Sequence, residues 1–124
     1  MTNTPPLPSL DGLRFAASAP TEGGEVGPET IFEYHESDAE IWASYAGGDV
    51  RRGFLVGTRH GDTLHFRYSQ LSADGETSTG RCTSVIVRGD DGRLTLEETW
   101  AWESRPGSGT SAVHELHDAP EARR

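Results

Sequence analysis

One glutamate of this sequence lies among apolar residues at the spacing of a β-strand. Glu98 alternates with Leu96 and Trp100, so these side chains share one face of a predicted strand. A carboxylate is costly to bury unless a partner compensates its charge. The strand register derived below places Arg81 on the neighbouring strand and Tyr68 on the strand beyond it. These three residues are therefore the group with the strongest potential for chemistry.

Two kinds of chemistry suit this cluster. In a binding site, Arg81 would favour an anionic or carbonyl-bearing ligand. In an enzyme without a cofactor, such as an isomerase or cyclase of a natural-product intermediate, Glu98 would act as general acid or base. Tyr68 and Arg81 would then stabilise a developing oxyanion or enolate. The alternative to both is a buried ion pair between Arg81 and Glu98 with a structural role only.

Whether the interior of the protein is filled by side chains or contains an open cavity distinguishes these hypotheses. An interior filled by side chains would exclude both binding and catalysis. An open cavity with a strongly raised Glu98 pKa would favour the enzyme over the binding protein.

Composition excludes several other classes. The chain has 124 residues, of which 11 are basic and 20 acidic, and its formal net charge is −9. This acidity disfavours binding to nucleic acid or to an anionic membrane surface. Lysine is absent, which excludes lysine nucleophiles and phosphate-binding loops of the P-loop type. The five histidines lack the spacing of metal ligands, so we expect no metal and no cofactor.

The cysteine content and the lack of a recognisable membrane or signal segment favour a cytoplasmic location. Cys82 is the single cysteine, so an internal disulfide is impossible. No apolar segment approaches the roughly 18 residues of a membrane helix. The first ten residues lack the charged and apolar regions of a signal peptide.

Glycine and aspartate pairs recur along the chain at short intervals, which is typical of tight hairpin turns. Between them, period-2 alternation predicts eight strands and no convincing helix. These strands cover residues 13–18, 30–36, 40–46, 50–60, 63–71, 77–88, 93–103 and 111–116. A flat sheet of this size would leave two edges and one face uncovered, so we predict an all-β fold, a calycin-like antiparallel up-and-down β-barrel. A β-sandwich is the alternative. The barrel domain would span 13–117, between a flexible arm (1–12) and a flexible tail (118–124).

Turn positions also predict which side chains point inward. We assume two-residue turns at 48–49, 61–62, 74–75 and 91–92. The resulting registers agree with one another and place most large aromatic residues of this region on one face, which we take as the interior. The predicted ligand-binding residues on that face are Trp42, Ser44, Leu55, Phe66, Tyr68, Arg81, Thr83, Glu98, Trp100 and Trp102. A bulge or a three-residue loop would reverse the orientation beyond it, and Cys82 and Ser84 would then point inward instead of Arg81 and Thr83.

The third and fourth predicted strands are apolar on both sides in this register. Ile41, Tyr45, Phe54 and Val56 would point outward, and a face of this kind is normally covered. We therefore expect a homodimer through the 41–45 and 54–56 face. A structural or regulatory partner protein that uses this face and no cavity is a third class of function.

Several strings of residues resemble a group of small bacterial proteins. The resemblance runs from about Glu29 to Glu115, and it is carried by Glu29-Thr30-Ile31-Phe32, Ile41-Trp42-Ala43, Phe66-Arg67-Tyr68, Thr79-Gly80, Glu98, Trp100 and Trp102. Proteins of this group often carry the label N-acetylglutamate synthase. That activity belongs to acetyl-coenzyme A-dependent folds with a helix-borne pyrophosphate loop, and this sequence contains no such motif. The resemblance therefore implies a small cytoplasmic bacterial β-domain. In architecture, the meander is also similar to the avidin and lipocalin barrels.

The function that these observations favour is binding of a small, partly apolar molecule inside the barrel. Aromatic residues, with Trp42, Phe66, Trp100 and Trp102 foremost, would form the walls. Arg81, Glu98 and Tyr68 would supply polar recognition.

Overall fold

The computed structural model describes residues 7–116 and shows one closed antiparallel barrel. Each strand pairs with the next along the chain, and β1 pairs with β8 to close the sheet. The strands are β1 (Arg14–Ala17), β2 (Ile31–Ser37), β3 (Glu40–Gly47), β4 (Val50–His60), β5 (Thr63–Ser72), β6 (Thr77–Arg88), β7 (Leu94–Trp102) and β8 (Ser108–Glu115). The predicted eight-stranded up-and-down barrel is confirmed, and the sandwich alternative is wrong because a single sheet closes on itself. Within the described range, no helix is long and apolar enough to cross a membrane.

The segment before β1 closes one end of the barrel. Leu10 is fully buried, and its backbone N–H donates to Glu36 Oε1 over 2.8 Å. Arg59 donates to the same carboxylate oxygen over 2.9 Å and to the Pro8 carbonyl over 2.9 Å. The arm that we expected over residues 1–12 is therefore held against the barrel at residues 8–10. Residues 1–6 and the expected tail at 118–124 lie outside the described range.

The half of the interior next to this plug is filled by apolar side chains. They come from seven of the eight strands, and burial of each stabilises the fold by about 1.5–3 kcal/mol. The fully or almost fully buried residues here include Phe15, Tyr34, Ile41, Leu64, Ile86, Leu94, Leu96 and Val113. The other half of the interior is different in composition and is described as the candidate site below.

Loop lengths explain where the predicted register is correct and where it is wrong. The β4–β5 turn has the two residues predicted, and Leu55 pairs with Tyr68 as expected. In the β5–β6 loop, Ser72 N–H donates to the Glu76 carbonyl, which leaves the three residues 73–75 in the loop. Gly75 takes the positive φ of 90° that such loops require at their last position.

The β6–β7 loop repeats this geometry. Gly89 N–H donates to the Arg93 carbonyl, so three residues, 90–92, form the loop, and Gly92 has a φ of 85°. Each additional loop residue shifts the pairing by one position. The orientation of β6 is therefore the reverse of the prediction, whereas the second shift restores the predicted orientation of β7.

A β-bulge in β4 reverses β3 in the same way. Val50 pairs with Ser72 and Arg52 pairs with Leu71, so Arg51 is an extra residue in β4. Both arginines are exposed between the inward-facing Val50 and Gly53. The whole of β3 is consequently turned relative to the predicted register. Ile41 and Tyr45, predicted to point outward, are buried inside the barrel, and Trp42, predicted inside, is 42% exposed.

Candidate functional site

A cavity lies inside the barrel at the end opposite the Leu10 plug. Its volume is about 50 Å³. The aromatic part of its wall is formed by Phe32, Tyr45, Phe66, Tyr68, Trp100 and Trp102. The remaining wall from the strands is formed by Leu55, Gln70, Cys82, Glu98 and Ser111. Aromatic walls around a few polar groups are typical of a small-molecule site.

The aromatic rings lie against the barrel wall because glycines leave room for them. A Cβ atom on Gly80 would overlap the Tyr68 ring, and one on Gly109 would crowd the Trp100 ring at 2.8 Å. Trp102 contacts both of these rings at steep angles, with ring centroids 5.6 Å from Tyr68 and 5.7 Å from Trp100. The edge-to-face arrangement fixes the walls and keeps the space between them open.

Glu98 is the charged group at the centre of the strand wall. Its Oε1 accepts a hydrogen bond from Ser111 Oγ (3.0 Å), and its Oε2 accepts one from Ser84 Oγ (3.4 Å). The residue is partly exposed and lines the cavity. Burial raises the pKa of Glu98 from 4.5 to about 7, and the two serine hydrogen bonds offset part of that rise. Among the described residues, no arginine or histidine forms an ion pair with it.

Hydroxyl and thiol groups surround Glu98 and remain protonated at neutral pH. Burial is the main cause of the raised pKa values of Tyr34, Tyr45, Tyr68 and Cys82, and the charge of Glu98 adds to each. These groups can therefore donate or share protons in hydrogen bonds, but they carry no charge that could neutralise the carboxylate.

Two buried aromatic donors of the barrel interior have no hydrogen-bond partner within residues 7–116. They are the indole N–H of Trp100, whose ring lines the cavity, and the hydroxyl of Tyr34, in the filled half. By contrast, the Tyr45 hydroxyl donates to Gln70 Oε1 over 2.8 Å. Buried polar groups in proteins are normally satisfied, so these two unpaired donors require an explanation.

The connection between β1 and β2, residues 18–30, crosses the mouth of the cavity, and we call it the lid. Thr21, Gly24, Glu25 and Val26 of the lid complete the cavity wall. Trp102 Nε1 donates to the Gly23 carbonyl over 3.2 Å, and Gln70 Nε2 donates to Glu25 Oε1 over 2.8 Å. Arg105 lies 3.8 Å from Glu25 Oε2. These contacts, together with the hydrogen bond from Thr30 Oγ1 to the Gly47 carbonyl (3.0 Å), connect the lid to the barrel.

Six of the predicted ligand-binding residues do meet in this cavity. They are Leu55, Phe66, Tyr68, Glu98, Trp100 and Trp102. The other four point away from it, because the bulge reverses β3 and the β5–β6 loop reverses β6. These four are Trp42, Ser44, Arg81 and Thr83.

The position of Arg81 is the most consequential correction. Its guanidinium group lies on the outer surface, 3.6 Å from the Glu103 carboxylate, and it is mostly exposed. The predicted pair between Arg81 and Glu98 is therefore wrong. Because Arg81 is not in the cavity, the argument for an anionic ligand no longer holds. The catalytic hypothesis also loses one of its two proposed oxyanion-stabilising groups.

Several residues of the site were not among the predicted ligand-binding residues. Cys82 and Ser84 point inward, as the alternative register allowed. Phe32 and Ser111 come from strands whose inward face was not assigned, and Tyr45 was assigned to the outer face. Gln70 shares the inward face of β5 with Phe66 and Tyr68, a face that was predicted correctly, but it was left out of the predicted site. Nothing in the glycine-rich sequence of residues 18–30 indicates that this connection would cover the barrel.

The fold defines a small calycin-like barrel, and its interior contains a cavity. The family described as avidin-like protein matches residues 8–116, so the chain belongs to that family. No curated protein and no solved structure gives a significant match. Within the described range, no group of three or more histidine, cysteine, aspartate or glutamate residues is arranged to hold a metal ion.

Proposed function

We propose that this protein binds a small, partly apolar molecule in the cavity beneath the lid. Membership of the avidin-like family, whose barrels bind small molecules, supports this function at the level of the class. The observation that carries the proposal is the unused acceptor capacity of Glu98 between aromatic walls. Among the described residues, the Glu98 carboxylate accepts two hydrogen bonds of the about four that it can accept.

The volume of the cavity implies that the lid moves when a ligand enters. About 50 Å³ is far below the roughly 300–1,000 Å³ of sites for drug-sized ligands. The plugged half of the barrel is filled, so space for even one ring has to come from the mouth. Displacement of the lid breaks few polar contacts, chiefly those of Glu25 with Gln70 and Arg105 and that of Gly23 with Trp102.

Retention of a ligand tests this function. Native mass spectrometry of the protein purified from its own host should show one small molecule bound per chain. Leu55→Trp fills the cavity from β4 and should abolish retention, whereas Thr58→Trp, outward on the same strand, should not. Equal retention by both variants, or a wild-type protein that retains nothing, would contradict the proposal.

Acid–base catalysis in the same cavity is the second candidate function. The pKa of about 7 for Glu98 favours it, because a group that titrates near neutral pH can both donate and accept a proton there. Tyr68 lines the same cavity and would be the remaining donor to a developing oxyanion. In that case Glu98→Gln should abolish turnover, and it should change the affinity for an uncharged substrate only modestly. A variant with full activity would exclude Glu98 as the acid or base.

We also propose a homodimer, although the residues of its interface differ in part from those first expected. Trp42, Phe54 and Val56 form an apolar patch on the outside of β3 and β4, and they are 42%, 56% and 65% exposed. Trp42 pairs with Val56 across these strands, so the patch is continuous. Exposed apolar patches of this kind are often sites of protein association.

A further inference from the structure

We propose that the ligand carries a positively charged amine or amidine on a small planar ring, with the charged group hydrogen-bonded to Glu98 and the ring between the aromatic walls. This inference rests on the proposed function, because it names the chemical class of molecule that the cavity would take.

The first argument is that no described residue supplies a counter-ion to Glu98. Three other glutamates have an arginine beside them: Glu36 with Arg59 (2.9 Å), Glu103 with Arg67 (3.1 Å) and Glu25 with Arg105 (3.8 Å). Within residues 7–116, the hydrogen-bond partners of the Glu98 carboxylate are the hydroxyl groups of Ser84 and Ser111. An ionised carboxylate offers about four acceptor positions, so about two remain for donors of the ligand. A cationic donor would supply the charge compensation that the described residues do not.

The aromatic walls are the second argument. The faces of tryptophan, tyrosine and phenylalanine rings attract cations within about 6 Å of the ring centre. The protein shows this contact at the mouth, where the Arg105 guanidinium lies 4.2 Å over the Trp102 ring. The rings of Phe66, Tyr68 and Trp100 offer further faces or edges around the same space. A ring that carries an ammonium or amidinium group is suited both to these walls and to the carboxylate.

The charge of the whole site is the third argument. The described lining residues include two carboxylates, Glu98 and Glu25, and no arginine or histidine. The chain as a whole carries a formal net charge of −9. At the mouth, Glu25 is paired with Arg105, whereas Glu98 has no such partner among the described residues. An anionic ligand would therefore meet repulsion from Glu98 at the centre of the cavity, and a cation would be attracted to it.

Protonation of Glu98 should then control affinity. The titratable groups that face it are Tyr34 on β2, Tyr45 on β3, Tyr68 on β5 and Cys82 on β6, and all have pKa values raised by burial. They remain neutral between pH 5 and 8. Glu98, with a pKa of about 7, loses its charge in this interval. Binding of a cation should therefore weaken as the pH falls below 7.

Three probes of similar shape and different charge test the inference. They are 2-phenylethylamine, 2-phenylethanol and phenylacetate, titrated against the full chain by calorimetry at pH 8. We expect the amine to bind at least about tenfold more tightly than the alcohol, and phenylacetate to bind most weakly. Lowering the pH to 5.5 should weaken amine binding by about 30-fold and leave alcohol binding nearly unchanged.

Two matched variants distinguish the effect of Glu98 on amine binding from the effect of the chain's overall negative charge. Glu98→Gln should weaken amine binding at least about tenfold and remove its pH dependence. Glu97→Gln, the neighbouring residue on the outer face of β7, should change neither.

The possible failures point to different conclusions. If the alcohol or phenylacetate binds as tightly as the amine, and Leu55→Trp abolishes that binding, the ligand class is wrong and the cavity function stands. If no probe shows saturable binding to the wild type or to Gln70→Ala, in which the lid loses a hydrogen bond, both proposals are overturned.

Discussion

Replacement of Glu98 by glutamine should stabilise the barrel in a pH-dependent way. Burial raises the pKa of Glu98 from 4.5 to about 7, so the folded protein holds this proton more strongly than the unfolded chain. The contribution of Glu98 to stability is then greatest below pH 4.5, falls as the pH rises from 4.5 to 7, and is constant above 7. The difference between 7 and 4.5 corresponds to about 3 kcal/mol of unfolding free energy. Glutamine cannot ionise, so the variant lacks this loss.

Urea unfolding at a series of pH values measures the effect. The difference in unfolding free energy between Glu98→Gln and the wild type should grow by about 3 kcal/mol in favour of the variant from pH 4 to pH 8. Contributions from the other titrating groups cancel in this difference. Glu97→Gln makes the same chemical change on the exposed face of β7 and should show no such growth. Parallel stability profiles for the wild type and Glu98→Gln would refute the description of Glu98 as a largely buried carboxylate to which no described residue supplies a counter-ion.

Three further predictions follow from the packing of the site and from the outer surface. Gly80→Ala should lower the unfolding free energy by about 1–3 kcal/mol, because the added methyl group meets the Tyr68 ring; an unchanged urea midpoint would contradict that contact. Glu25→Ala should loosen the lid and accelerate modification of the buried Cys82 by a thiol reagent, and an unchanged rate would show that access does not depend on the lid. Trp42→Ser should convert the proposed homodimer to a monomer in light scattering, whereas a wild type that is strictly monomeric at high concentration would remove the dimer.

The barrel could be predicted from the sequence because its signals are local and repeated. Alternation between polar and apolar residues marked all eight strands, and the bounds of β4 and β6 agree with the prediction to the residue. The inward face of β7, with Glu98 between Leu96 and Trp100, was also correct. Closure follows from the number of strands and from the cost of exposed edges.

The orientation of β6 could not be predicted because an Asp-Gly pair does not determine the length of its loop. The pair at 74–75 suits a two-residue turn, yet it forms the end of a three-residue loop with Gly75 at positive φ. One residue of difference turns Arg81 outward and Cys82 inward. The one-residue difference in the β5–β6 loop therefore places the Cys82 thiol, instead of the expected Arg81 guanidinium, on the cavity side of β6. For this reason we now propose a cationic ligand where the sequence favoured an anionic one.

The orientation of β3 depends on the bulge in β4, and the sequence does contain a sign of that bulge. Arg51 and Arg52 are adjacent charged residues within an otherwise alternating strand, and both are exposed because β4 bulges there. Such an adjacent pair is compatible with a bulge, but alternation alone does not identify it. The lid was beyond prediction for a different reason, since its position depends on long-range contacts with Gln70, Trp102 and Arg105.

The indole N–H signals of the three tryptophans provide the most direct test of binding inside the barrel. Trp100 and Trp102 line the cavity, and Trp42 lies on the outer surface. Titration of isotope-labelled protein with 2-phenylethylamine at pH 8 should shift the signals of Trp100 and Trp102 in a saturable manner and leave that of Trp42 unchanged. A saturable shift of Trp42 alone, or no shift of the two cavity tryptophans at high ligand concentration, would contradict the assignment of this cavity as the binding site.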